Sequence, residues 1–436
     1  MAIARAARVG ATASSRQRSR SGVAASCAWI IRSNLWMIGV AVKHECGRRA
    51  RRNFGRSELL SISHFDAERS LEGIASWARV ESPTVHVDGV NQMMDLAAAE
   101  MRDLGGRIER APGSGGFADI LLARFDGTDP TAASGILVLS HLDTVHLVGT
   151  LNGRLPLRRE GDRYYGPGVY DMKGGCRIAI DALRIVKSVG AGPRLPVTFI
   201  FVPDEEVGSP SSRERIEAEA KRHKYVLVTE PCKNGVIVTG RFGFQRFIVA
   251  THGRPAHAGA NNRQGRSAIR AMARVIDRIE SMTDFERGMT FSVGKIHGGT
   301  FVNVMPIECR AEVLAVAPTQ DIAVEVRQRM EGLQSEADGV SIVVEPGPVR
   351  PLWQAHKATL ALYEKARILA AEIGFELKHG SFGGGSDGNF TGALGCATLD
   401  GLGVDGDGAH TFEEHLLVSS LVPRCRLFAE LLRTLD

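Results

Sequence analysis

Residues 135–143 read GILVLSHLD and residues 196–206 read PVTFIFVPDEE. Each is an unbroken apolar run that ends on groups able to hold a proton or a cation. A strand apolar on both faces needs cover on both sides, which is the habit of parallel sheets. Between the two runs, Ile178, Ala179, Ala182, Leu183 and Val186 recur at helical spacing within 174–189. After the second run, 213–223 reads as a charged helix and 225–228 as a further strand. Alternating strands and helices predict an α/β fold, a mostly parallel sheet covered by helices on both faces.

Outward from this centre, Asp66 is placed to cap a helix through Leu71, Ile74 and Ala78, and a second helix over 91–104 stops at Gly105 and Gly106. Beyond residue 241 the pattern changes. Strand 244–251, helix 265–282, strands 290–296 and 302–317, helix 322–333 and strand 340–345 spell βαββαβ, the split ferredoxin-like plan. The chain then returns to the main sheet, with helices over 358–373 and 418–435.

The chain has 436 residues, 44% apolar and 24% charged, an ordinary globular composition with length for two domains. Its 49 glycines show no triplet period and point to tight turns. The net charge of +5 divides unevenly: residues 1–60 hold twelve Lys and Arg against Glu45 and Glu58, 12 − 2 = +10, so the remainder sums to −5. A mildly acidic body excludes a nucleic-acid surface as the leading reading. For residues 1–60, three readings stay open: a mis-chosen start or disordered extension, a targeting segment, and a basic arm. The apolar stretch 22–42 is interrupted by Arg32 and Asn34, so no membrane span is expected. Seven scattered cysteines without C-x-x-C spacing suggest free thiols and a cytoplasmic location, with periplasmic export as the alternative.

The residues that carry chemistry follow the strands, where open α/β sheets place their ligands. His141 and Asp143 point the same way along an extended segment, although a turn role is the simpler reading of H-x-D alone. Asp171 stands between glycine turns at the mouth of a helix, where a capping role competes. Asp204, Glu205 and Glu206 repel one another unless a cation or proton separates them; a solvated turn is the plain alternative. Glu230 ends another strand, and His410 adds a second imidazole. Singly these are weak signals, but five such sites over 270 residues form a constellation.

The ordered set HLDTV (141–145), GPGVYDMKGG (166–175), DEEVGS (204–209), TEP (229–231), GRPAHAG (253–259), GGTFVNVMP (298–306), GGGSD (383–387) and GAHT (408–411) resembles the di-zinc metallopeptidases. That family includes glutamate carboxypeptidase, aminoacylase, acetylornithine deacetylase and succinyl-diaminopimelate desuccinylase, and bacterial glutamate carboxypeptidase is the nearest in pattern. The resemblance runs from about residue 66 to the end. It implies a catalytic zinc peptidase domain (63–241 and 349–436) and an inserted lid or dimerisation domain (242–348), and leaves the basic extension (1–62), expected to be disordered, unexplained.

It further implies two zinc ions, with cobalt or manganese as substitutes. Asp171 would be shared, His141 and Glu230 would complete one site, and Glu206 and His410 the other. Glu205 would be the general base and Asp143 would orient His141. His257 would reach across a homodimer to the partner's oxyanion. Asn303 and Arg350 would hold the substrate's terminal carboxylate, and Gly385 in the 383–387 loop would line the cleft. The implied activity is hydrolysis of the amide to an amino acid with a free carboxylate, glutamate or aspartate foremost. An N-acyl amino-acid deacylase of the acetylornithine deacetylase or aminoacylase type is the alternative. Glutamate at 230, where aminopeptidase members carry aspartate, favours both over aminopeptidase action. Met172 departs from the pattern, since the nearest relatives have a second aspartate there; the 171–172 peptide is still expected to be cis. A silent binding protein on this fold and a nucleic-acid binder are the remaining alternatives.

Overall fold

The computed structural model describes residues 59–436. The expectations for residues 1–58, including the apolar stretch at 22–42, lie outside the described residues.

The central sheet has six strands in the order Arg107–Ala111, Ile120–Phe125, Val197–Val202, Gly135–His141, His223–Val228, Ala397–Leu399. The last four run parallel, and the first two join antiparallel. The two opening runs are therefore neighbours at the middle, and every residue of both strands is buried. Because Val197–Val202, Gly135–His141 and His223–Val228 are parallel, their carboxyl ends share one edge, and Asp143, Glu205, Glu206 and Glu230 follow directly from it. The predicted fold class holds.

Local chemistry sets the helices. The Asp66 carboxylate accepts from the Glu68 and Arg69 N–H groups and starts Ala67–Ala78, which buries Leu71, Ile74 and Trp77. Burying each such side chain stabilises the fold by ~1.5–3 kcal/mol. Lys173–Ser188 is almost wholly buried, packed on Ala67–Ala78 and Leu421–Thr434. Its second glycine has a steric reason: a Cβ on Gly175 would stand 1.8 Å from the Thr229 carbonyl oxygen. Only glycine lets this helix meet the strand end that carries Glu230, and so Asp171 and Glu230 come together.

The second sheet runs Thr290–Gly298, Glu308–Ala317, Gly243–His252, Val340–Arg350, Ser335–Ala337, antiparallel throughout. Strict alternation on Gly243–His252 and Glu308–Ala317 buries one face, which packs Phe247, Val249 and Val313 with Met272 and Val326 of helices Ala268–Glu280 and Gln320–Glu331. This is the expected ferredoxin-like order.

Several boundaries differ from the sequence reading. The strand expected over 302–317 begins at Glu308, because Phe301 and Val302 are exposed and Pro306 offers no N–H to a ladder. The helix over 265–282 is Ala268–Glu280, capped by Ser267. The helix over 91–104 starts at Val87, and that over 213–223 ends at Ala220, with His223 opening the next strand. Among the described residues, no helix is long and apolar enough to cross a membrane, and Cys176, Cys232, Cys309, Cys396 and Cys425 are free thiols.

Candidate active site

The strand ends converge on one cluster. His141, 1% exposed, donates from Nδ1 to the Asp143 carbonyl oxygen at 2.9 Å, with the Asp143 carboxylate 3.3 Å away. Its Nε2 is thereby aimed at Asp171 Oδ1 (3.2 Å) and Glu230 Oε1 (3.8 Å). On the other side, His410 Nε2 stands 3.2 Å from Asp171 Oδ2 and 3.1 Å from Glu206 Oε2. Asp171 thus offers one oxygen to each imidazole. His410 holds a left-handed backbone (φ 64°), uncommon for a residue with a Cβ. The His141 side is sealed, whereas the His410 side chain is 55% exposed.

Asp143 does more than orient an imidazole. Its carboxylate accepts from Thr84 Oγ1 (2.7 Å) and from the N–H groups of Glu205 (3.3 Å) and Glu206 (3.2 Å), tying two strand ends together. Asp204 is a different case: the triple-acid reading is corrected, because its carboxylate turns away to accept from the Ser211 and Ser212 N–H groups. Only Glu205 and Glu206 face the cluster. The Asp171–Met172 peptide is cis. Met172 is 1% exposed and its sulfur accepts from the His141 N–H, so methionine is accommodated at this position beside the cluster.

The donor set suits a divalent cation. Ligand atoms of His141, Asp171 and Glu206, and separately of His141, Glu205 and Glu230, lie within 4.8 Å of one another. Glu206 Oε1 is buried without a hydrogen-bond partner, a position a cation would fill. Imidazole nitrogen with carboxylate oxygen is the ligand chemistry of zinc. Glu205 is within donor range too, but its Oε1 is engaged by the Arg350 guanidinium, which reduces its capacity to ligate.

Without a cation, the cluster holds protons. Burial and the like charge of Asp171 push Glu206 up to about 8, and the same two causes raise Glu230 well above the usual carboxylate range. Hydrogen bonds to Asp171 and Glu206 push His410 up to about 11. A group whose pKa folding raises binds extra protons in the native state. Metal-free stability is therefore lost as pH rises, from 4.5 to about 8 for Glu206 and from 6.5 to about 11 for His410. A bound cation replaces those protons. We expect the Tm gap between zinc-loaded and chelator-treated protein to widen between about pH 6 and about pH 8; a constant gap would mean that the cluster does not take the metal.

A cleft of about 1060 Å³ opens from Glu205, Glu206 and His410, lined also by Phe244, Arg246, Arg350 and Gly383–Gly385. Arg350, from the last strand of the second sheet, pairs with Glu205 Oε1, donates to the Glu205 carbonyl oxygen at 3.0 Å and lies 3.8 Å from Asp387. Gly385 lies against it, where a Cβ would meet Arg350 Cδ at 3.0 Å. His257 and Asn303 are neighbours, the Ala258 N–H donating to the Asn303 carbonyl oxygen. Neither lines this cleft among the described residues.

Residues 137–434 match peptidase family M20/M25/M40. The chain belongs to that family. This peptidase is 29% identical over 363 residues to carboxypeptidase G2 of Pseudomonas sp. (strain RS-16), covering 81% of this chain and 86% of that one. It is 26% identical to acetylornithine deacetylase of Myxococcus xanthus, over 50% of this chain and 59% of the other. In fold it is similar to aminopeptidase PepT of Bacillus cereus (TM-score 0.66, 23% identity, 85% and 99% covered) and to the metallo-carboxypeptidase Sso-CP2 of Sulfolobus solfataricus (0.64, 15%, 85% and 99%). The peptidase is thus a metal-dependent hydrolase.

Sequence reading missed one group in this peptidase's site. Glu414 is 1% exposed; its Oε1 accepts from the Tyr170 and Asp171 N–H groups (3.0 and 3.1 Å), and its Oε2 meets His146 Nε2. It fixes the backbone beneath Asp171. No short motif signals a partner 268 residues from His146, although Glu414 lies four residues beyond His410. Glu414→Ala should cost about 3 kcal/mol, leaving two buried N–H groups without an acceptor, and weaken metal binding roughly 10- to 100-fold. Unchanged zinc affinity by competition titration would refute this.

Proposed function

We propose that this hydrolase cleaves the amide joining an acyl or peptidyl group to an amino acid with a free carboxylate, with glutamate and aspartate conjugates as the leading class. The observation that carries the reading is Arg350, a guanidinium in the cleft next to Glu205 and the donor cluster. Its fork suits bidentate pairing with a carboxylate.

In this reading two zinc ions are held by His141, Asp171 and Glu230 and by Asp171, Glu206 and His410. Zinc, when bound, acidifies a water and polarises a carbonyl. Glu205 takes the proton of the attacking water and returns it to the leaving nitrogen. Asp143 keeps His141 in the tautomer that leaves Nε2 free. Arg350 holds the substrate's α-carboxylate against the backbone at Gly385, and must leave Glu205 to do so, which frees the base as substrate arrives. The inserted domain, residues 242–348, serves as lid and dimerisation unit, presenting His257 and Asn303 to the partner's cleft in a homodimer.

Hydrolysis of N-acyl-glutamate, N-acyl-aspartate and N-acetyl-ornithine, with and without chelator, tests the reading. Chelator-sensitive turnover of the acidic conjugates supports it. Preference for N-acetyl-ornithine would make the chain a deacylase of the acetylornithine type. Arg350→Ala should raise KM roughly 10- to 100-fold for substrates with a free carboxylate. An unchanged KM would remove Arg350 from this role.

A further inference from the structure

Three arginines line the cleft, Arg213, Arg246 and Arg350. Two are committed. Arg350 is paired with Glu205 and flanked by Asp387, and Arg213 pairs with Glu217 and donates to the Val349 carbonyl oxygen. Arg246 is exposed and makes no side-chain hydrogen bond or ion pair among the described residues.

Its placement is specific. Arg246 sits two residues beyond Phe244 on Gly243–His252, so both side chains leave the same face of the strand, and both line the cleft. Phe244 pairs in register with Arg350 across the sheet. At Arg246 the neighbouring strand slips register between Pro346 and Val349. Gly347 comes so close there that a Cβ on it would meet Arg246 Cβ at 3.2 Å. The guanidinium extends over the turn after Glu206, its Nη2 being 3.7 Å from where a Gly208 Cβ would stand. Gly208 has φ 97° and no side chain to screen it. Glu214 is a further acid of the cleft and is not paired with Arg246.

A cation left unpaired in a cleft beside a hydrolytic centre is a recognition group for an anion. We propose that Arg246 is a specificity-determining residue that binds a second carboxylate of the substrate, in addition to the α-carboxylate held by Arg350. This rests on the amide-hydrolase reading above. The second carboxylate sits either on the side chain of the leaving amino acid or on the acyl group, and the substrates chosen distinguish the two.

The experiment compares kcat/KM of the zinc-loaded full chain for N-acetyl-glutamine, N-acetyl-glutamate and N-succinyl-glutamine, with Arg246→Gln and Arg246→Lys alongside. We expect one of the two diacids to exceed N-acetyl-glutamine by about tenfold or more, the scale of one charge-assisted hydrogen bond. That ratio should fall to about one in Arg246→Gln and be largely kept by Arg246→Lys. The favoured diacid identifies the source. A wild-type ratio near one, or a ratio that survives in Arg246→Gln, overturns the proposal; a merely structural role would lower all three substrates together and leave the ratio unmoved. Calorimetric binding of glutarate against its monoamide separates this from the broader reading. If none of the three substrates is hydrolysed, the amide reading fails. Arg246 then stands only if glutarate binds about tenfold more tightly than the monoamide in the wild type and not in Arg246→Gln.

Discussion

Glu205→Gln is expected to lower kcat about a thousandfold, within the range of a lost general base, while metal content stays at the wild-type level. Glutamine keeps an oxygen for the Arg350 guanidinium, the partner of Glu205 in the cleft. Alanine would not, and would leave a largely buried cation with the Glu205 carbonyl oxygen and, as its nearest carboxylate, Asp387 at 3.8 Å, mixing a stability loss into the result. Metal analysis beside steady-state kinetics makes the outcome decisive. Turnover within tenfold of wild type would remove Glu205 from the proton transfer. Loss of metal together with activity would make Glu205 a ligand, which its position near His141 and Glu230 geometrically allows.

The second large effect concerns Asp171. One of its oxygens faces His141 and the other His410, each at 3.2 Å, so the carboxylate is common to both halves of the cluster. Asp171→Asn leaves one oxygen and puts an N–H₂, which cannot ligate, on the other side. We expect bound zinc to fall to at most one per chain and activity to drop by more than about a thousandfold. Glu230→Gln, by contrast, should weaken one site and spare the other. An Asp171→Asn protein that still binds two zinc ions per chain would end the shared-ligand assignment.

Much of the fold was legible because burial on both faces leaves a plain mark. GILVLS and PVTFIFV read as strands buried on both faces, and His141, Glu205 and Glu206 stand at or just beyond their carboxyl ends. The ferredoxin-like order was legible through alternation. What escaped was held together by distant or short pairings. Ile120–Phe125 joins the sheet antiparallel next to Val197–Val202, and its ILLARF pattern carries no signal of that neighbour. Val236–Arg241 and Lys378–Phe382 form a separate two-stranded parallel sheet. The small sheet of Arg158–Glu160, Arg163–Tyr165, Gly406–Asp407 and His415–Leu417 gathers pieces too short to show periodicity. In the site, the residue types of the cluster were readable, but their second partners were not. Glu414 under Asp171, Asp204 turned to its serines and Arg350 resting on Glu205 are products of folding over 145 or more residues, or of a local turn whose direction the composition leaves open.

The separation along the chain between Glu230 and His410 has a bearing on biosynthesis. The span is 410 − 230 = 180 residues and includes the entire second sheet. As the polypeptide emerges from the ribosome, three carboxylates and one imidazole are exposed to solvent well before the other imidazole has been made. In the two-site reading proposed above, the ligands of one site, His141, Asp171 and Glu230, are all made early, whereas the site that needs His410 is completed only when the last part of the chain folds back.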